Sequence, residues 1–111
     1  MLGLDAGTWD LLGPWMDQGL LPNLAKLRDR GVHGRLRSTQ PSSSPVIWTS
    51  IATGKRPYKH GILGFSEPLP DRSGVHPIST LSRRTRAFWN VFHQQGLRGN
   101  VVGWWPSHPV E

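Results

Sequence analysis

Two residues of this 111-residue chain have the type and setting for chemistry, Ser44 and Asp5. Ser44 ends the run Pro41-Ser42-Ser43-Ser44. It is followed by Pro45 and by the apolar, β-branched stretch Val46-Ile47-Trp48-Thr49-Ser50-Ile51-Ala52-Thr53, which stops at Gly54. The pattern predicts a loop feeding a short buried helix. Ser44 suits the N-cap, where a hydroxyl accepts from the backbone N–H groups of the first turn. Pro45 suits the first helical position, where its missing N–H costs nothing, and Gly54 suits the C-terminal stop. Backbone N–H groups and the helix dipole favour an anion beside such a serine and favour its alkoxide over the alcohol. An attacking hydroxyl on a phosphate ester needs that setting. A serine that caps a helix and does nothing else has the same local sequence, so this stretch by itself leaves both readings open. Asp5 follows the apolar residues 1–4 and precedes Ala6-Gly7-Thr8, which places it at the carboxyl end of a strand, where ligands bind in open α/β sheets.

The elements that position these residues follow from periodicity. Trp9, Leu11, Leu12, Trp15 and Met16 have helical spacing, and residues 20–31 read as a second helix with Leu21, Leu24, Ala25 and Leu27 on one face and Gly31 as the stop. Residues 32–38 alternate Val32, Gly34 and Leu36 against His33, Arg35 and Arg37, the period of a half-exposed strand. The serine-proline helix comes next. Val46, Ile47, Thr49, Ile51 and Thr53 have poor helix propensity, so packing must hold it. Residues 55–62 form a basic, proline-broken loop and residues 67–74 a polar loop with two prolines. Residues 85–95 regain helical spacing, with Thr85 as cap and Gly96 as end, and residues 100–104 read as a third strand. Alternating strands and helices predict a parallel sheet covered on both faces. Three strands leave apolar faces and an edge uncovered, and the first strand is short, so the expectation is the opening portion of a larger domain.

Composition bounds the rest. The chain has the size of one small domain. Cysteine is absent, which rules out a disulfide framework and a thiolate metal site and leaves the compartment open. The net charge of +6 suits an anionic substrate or nucleic acid. Only Arg83, Arg84 and Arg86 cluster, and no aromatic residues are interleaved with the basic ones as a stacking platform, which argues against a nucleic-acid partner. No apolar run approaches the roughly 20 residues of a membrane span.

Several stretches taken together resemble the type I phosphodiesterase and nucleotide pyrophosphatase family of the alkaline phosphatase superfamily. They are Gly3-Leu4-Asp5 with Trp9-Asp10-Leu11-Leu12, Leu21-Pro22-Asn23-Leu24, Gly31-Val32, Ser44-Pro45 with Trp48-Thr49-Ser50, Thr53-Gly54 with Pro57, His60-Gly61-Ile62, and Val101-Val102-Gly103-Trp104-Trp105. Their order and spacing cover nearly the whole chain. The resemblance implies an α/β fold, a three-layer αβα sandwich with a mainly parallel sheet, of which residues 1–111 form the N-terminal portion of one catalytic domain. It also implies a hydrolase with two zinc ions that activate a serine or threonine, a covalent phospho-enzyme, and a phosphorylated small-molecule, lipid or nucleotide substrate. The family's nucleophile falls on Ser44, which is also a metal ligand, and its first metal-binding aspartate on Asp5. The family's remaining ligands, an aspartate with a histidine four residues later, an Asp-His pair and a late histidine, match no positions here. A catalytic zinc takes about three protein ligands, so the 111 residues are expected to be inactive alone. The asparagine that follows the His-Gly-Ile motif in nucleotide pyrophosphatases is replaced by Phe65, which argues for esters other than nucleotide diesters.

Other candidates have simpler readings. His60 is read as a hydrogen-bonded structural histidine, and His33, His76, His93 and His108 lack ligand spacing. Asp10 serves its helix dipole. Lys55, Arg56 and Lys59 either steer an anionic substrate or form a solvated loop, and of Trp104 and Trp105 one can line a pocket while the other packs. A small basic anion- or nucleic-acid-binding module and a non-catalytic remnant of the fold are the alternatives to an enzyme.

Overall fold

A computed structural model describes residues 1–40 and 42–111, so Pro41, at the head of the serine run, lies outside the described residues. The chain divides into two units, Met1–Arg37 and Ser38–Glu111.

In the first unit residues 4–7 form a tight turn closed by Gly7 N–H to the Leu4 carbonyl at 3.3 Å. Ala6 sits in the left-handed region at φ 55°, and its N–H donates to Asp5 Oδ1 at 2.9 Å. Helix α1, Trp9–Asp17, starts at Thr8, whose hydroxyl accepts from Asp10 N–H, and it tolerates Pro14 in its interior. Its end is closed by Gly19 at φ 76°. Helix α2, Pro22–Arg30, begins on a proline and carries Arg28 and Arg30 in its last turn, where cations complement the dipole. Arg28 reaches back to Asp17 at 2.8 Å and also to Asp29 at 3.1 Å, and these bonds favour its charged form. The indole of Trp9 donates to the Gly34 carbonyl at 3.0 Å, and its ring lies 5.4 Å from that of His33.

The second unit is built around helix α3, Ser44–Thr53, which buries Pro45, Val46, Thr49 and Ala52. A one-turn helix α4, Pro57–His60, follows. Strands β1, Ser66–Pro68, and β2, Val75–Pro77, pair antiparallel with Glu67 opposite His76. Their connecting loop is shaped by Asp71, whose carboxylate accepts from Ser73 N–H at 3.0 Å and from the Ser73 hydroxyl at 2.7 Å. Those two bonds hold the Asp71 pKa below the ordinary value. A 3-10 turn at Thr80–Ser82 leads to helix α5, Phe88–Gln94. Ile62, Ile78 and Ala87 join Val46 and Ala52 in the core. Beside them stands an aromatic cluster in which Phe88 meets Trp89, Phe92 and Trp104 edge-on, and Trp104 also meets Trp48.

Helices α1, α2, α3 and α5 fall where the sequence reading put helices, whereas α4 lies in the stretch read as a basic, proline-broken loop and the strands differ. Residues 1–4, 32–38 and 100–104, expected to form a parallel sheet, carry no ladder, and the two observed strands are antiparallel and lie in and beside the stretch read as a polar loop. The reason is pairing. A strand needs partners for its N–H and C=O groups, and parallel partners need crossovers. Residues 33–34 are held instead by the side chain of Trp9, while Leu36 and Val102 are exposed. The start of α5 also differs. The N-cap is Ala87 rather than Thr85: Asn90 Oδ1 accepts from the Ala87 N–H at 2.8 Å, while the Thr85 hydroxyl is buried without a partner among the described residues.

Candidate functional site

Ser44 is the first residue of α3 and is half-buried. The cap falls one residue earlier than expected: Ser43 has extended backbone, and its carbonyl accepts from Ile47 N–H at 2.9 Å. Pro45 therefore takes the second helical position rather than the first. The shift moves Ser44 from the flank of the helix into its first turn, where the dipole is positive. The other end of α3 is as expected, with Gly54 at φ 63° donating to the Ser50 carbonyl at 2.9 Å.

What fixes α3 sideways is a buried histidine. His60 has no solvent exposure. Its Nδ1 lies 3.1 Å from Ile62 N–H, and its Nε2 lies 3.0 Å from Ser50 Oγ. The Ser50 hydroxyl in turn donates to the Val46 carbonyl at 2.8 Å. Burial lowers the His60 pKa, opposed by the Val46 carbonyl, so the ring is neutral. The histidine expected to be structural is therefore the hub of the α3 packing. Its importance was missed because Ser50 is ten positions away in sequence. From the other side Trp104 Nε1 donates to the Trp48 carbonyl at 3.3 Å. Trp104 thus packs, whereas Trp105 is half-exposed with its ring 6.3 Å from that of Phe65.

Asp5 is exposed in its turn and belongs to the first unit, whereas Ser44 belongs to the second. Both are oxygen donors, as a zinc site accepts. Among the described residues no group of three or more His, Asp or Glu side chains is placed to hold a metal ion. The donor types fit zinc and the donor number does not, because a catalytic site needs about three protein ligands. Lys55, Arg56 and Lys59 are exposed, and Lys59 lies over the Tyr58 ring. A cleft of about 1220 Å³ in the second unit, lined among others by Arg84, Arg86, Trp89, His93 and Arg98, does not include Ser44.

Comparison with known proteins supplies what the geometry leaves open. The family model for type I phosphodiesterase / nucleotide pyrophosphatase matches residues 1–111. The chain belongs to this family. Membership carries an alkaline-phosphatase-like α/β fold with it. The chain is 29% identical over 99 residues to venom phosphodiesterase 2 of Crotalus adamanteus and to venom phosphodiesterase CdcPDE of Crotalus durissus collilineatus. Each alignment covers 83% of this chain and 12% of the relative, so the family member described here spans a small part of the relatives' length. No solved structure matches it. Among the described residues no helix is long and apolar enough to cross a membrane.

Proposed function

We propose that this chain is the nucleophile-bearing N-terminal portion of a metal-dependent phosphoester hydrolase, with Ser44 as the nucleophile and Asp5 as a metal ligand. The supporting observation is the family match over residues 1–111 together with the place of Ser44 in the first turn of α3, a helix held by buried residues. In this reading the complete protein holds two zinc ions, to which Asp5 contributes a carboxylate and Ser44 its hydroxyl oxygen, with the other donors lying outside this chain. Zinc, when bound, lowers the pKa of the hydroxyl and offsets phosphoryl charge. Ser44 Oγ, having lost its proton, bonds to phosphorus as the P–O bond to the leaving alcohol breaks. The alcohol departs with a proton from water, leaving the phosphoryl group, with its second ester substituent where the substrate is a diester, on Ser44, and water then cleaves the Ser44–phosphorus ester to release the phosphate product. The positive end of α3 favours the charge that develops at each stage. The parallel sheet of the αβα sandwich forms, in this reading, when residues 1–4, 32–38 and 100–104 pair with strands of the complete domain.

Phosphate esters other than nucleotide diesters are the proposed substrates, because Phe65, which is 60% exposed, offers no amide donor at the position where family nucleotide pyrophosphatases place one. The test uses the complete protein and p-nitrophenyl phosphodiester and phosphomonoester substrates. Ser44→Ala is expected to lower kcat by at least about a thousandfold, and rapid quenching of the wild type is expected to give a peptide phosphorylated at Ser44. Full activity in Ser44→Ala, or a phosphopeptide at another residue, overturns the assignment.

A further inference from the structure

We infer that His60 is a positioning residue for Ser44, acting through the Ser50 hydroxyl on the second turn of α3; this rests on the reading of Ser44 as nucleophile. Each hydrogen bond in the chain has one direction. The Ile62 N–H can only donate, so Nδ1 of His60, 3.1 Å away, is the acceptor and carries no proton. The neutral ring then carries its hydrogen on Nε2. Nε2–H donates to Ser50 Oγ at 3.0 Å, which leaves the Ser50 hydroxyl hydrogen for the Val46 carbonyl at 2.8 Å. Val46 is two residues from Ser44.

The imidazole is itself held. The His60 N–H donates to the Arg56 carbonyl at 3.2 Å, and the His60 carbonyl accepts from Arg84 N–H at 2.9 Å. Gly61 follows at φ 85°, and a Cβ there would come within 2.9 Å of the Arg84 side chain. The turn at residues 60–62 thus lies against the Arg84 side chain, in a backbone conformation that favours glycine at 61. Ser50 has no such restraint of its own, since a helical serine commonly swings between its own backbone and solvent. The fixed ring selects one Ser50 rotamer, and the Ser50 bond to Val46 sets the tilt of the first turn. A displacement of about 1 Å at a reacting atom can cost on the order of a hundredfold in rate. His60 touches neither substrate nor the reacting oxygen in this scheme; its effect is on where that oxygen stands.

Two measurements test this. In the 111-residue chain, long-range proton–nitrogen NMR is expected to show His60 protonated at Nε2 and bare at Nδ1. Ser50→Ala, which a helix accepts readily, is expected to move the amide resonances of residues 44–47 while those of residues 52–54 stay in place. His60→Gln, whose amide can donate where Nε2 did, is expected to keep the resonances of residues 44–47 near their wild-type positions, and His60→Asn, too short to reach Ser50, is not. A proton on Nδ1, or unchanged resonances at residues 44–47 in both Ser50→Ala and His60→Asn, overturns the inference. In the complete enzyme Ser50→Ala is expected to lower kcat tenfold to a hundredfold at unchanged KM; a change confined to KM, or none, overturns it as well. Failure of the nucleophile reading looks different: Ser44→Ala stays active while the NMR response to Ser50→Ala persists.

Discussion

At the scale of single residues the second unit depends on a histidine that must stay neutral. Protonating His60 would place a hydrogen on Nδ1, against the Ile62 N–H, and a charge in a site without solvent exposure. The folded-state pKa lies below the ordinary 6.5, so as pH falls through that value the unfolded chain takes up a proton that the folded chain refuses. The His60 contribution to stability is therefore complete above about pH 6.5 and is lost as pH falls from there towards the folded-state pKa. Urea midpoints are expected to drop between about pH 7.5 and about pH 5.5, and the drop is expected to shrink in His60→Gln. Phe65 carries a second prediction. Phe65→Asn in the complete enzyme is expected to raise kcat/KM for a nucleotide diester relative to a simple aryl phosphate by about tenfold, the effect of one added hydrogen bond to a charged group; competition between the two substrates measures it. The place of Ser44 at the head of a helix was legible because Pro45 and Gly54 punctuate that helix in sequence. The role of His60 was legible only in outline, because its tautomer is set by Ile62 and Ser50, and no local pattern announces that Ser50 faces it.

At the scale of elements α3 shows how little propensity decides when packing is available. Val46, Ile47, Thr49, Ile51 and Thr53 are poor helix formers, yet the helix forms because Val46, Thr49 and Ala52 are buried. Its exit depends on Gly54 at φ 63°, a conformation that a Cβ makes costly even though the space around it is open. Gly54→Ala is expected to destabilise the fold by about 1 kcal/mol, measured by chemical denaturation, with no change in the helix-start resonances. Helix ends marked by glycine were read correctly from sequence at Gly31, Gly54 and Gly96. The strands were not, because alternation such as Val32, Gly34, Leu36 says which side chains share a face but not which backbone will pair with them. Prolines concealed the real hairpin: Pro68 and Pro77 are the last residues of β1 and β2, where a two-stranded ribbon tolerates them at positions that a central strand would not.

At the scale of the whole molecule the family was legible in the order of short motifs spread over nearly the entire chain, none of which is diagnostic alone. The proposed metal chemistry was not, because a zinc site takes about three protein ligands per metal and among the described residues no group of three or more such side chains comes together. The purified 111-residue chain with added zinc is expected to release no p-nitrophenol from a p-nitrophenyl diester. Zinc-dependent turnover that disappears in Ser44→Ala would show that these residues suffice. The tryptophans provide a separate means of following the second unit. The Trp104 ring lies 5.3 Å from Trp48 at 78° and 5.5 Å from Trp89 at 67°. Indole transitions that close and that strongly inclined couple into an exciton pair, so native protein should show a bisignate circular-dichroism couplet that Trp104→Phe abolishes and Trp15→Phe leaves intact. The packing around α3 thereby has an optical signature of its own, one that reports the second unit's melting independently of the first.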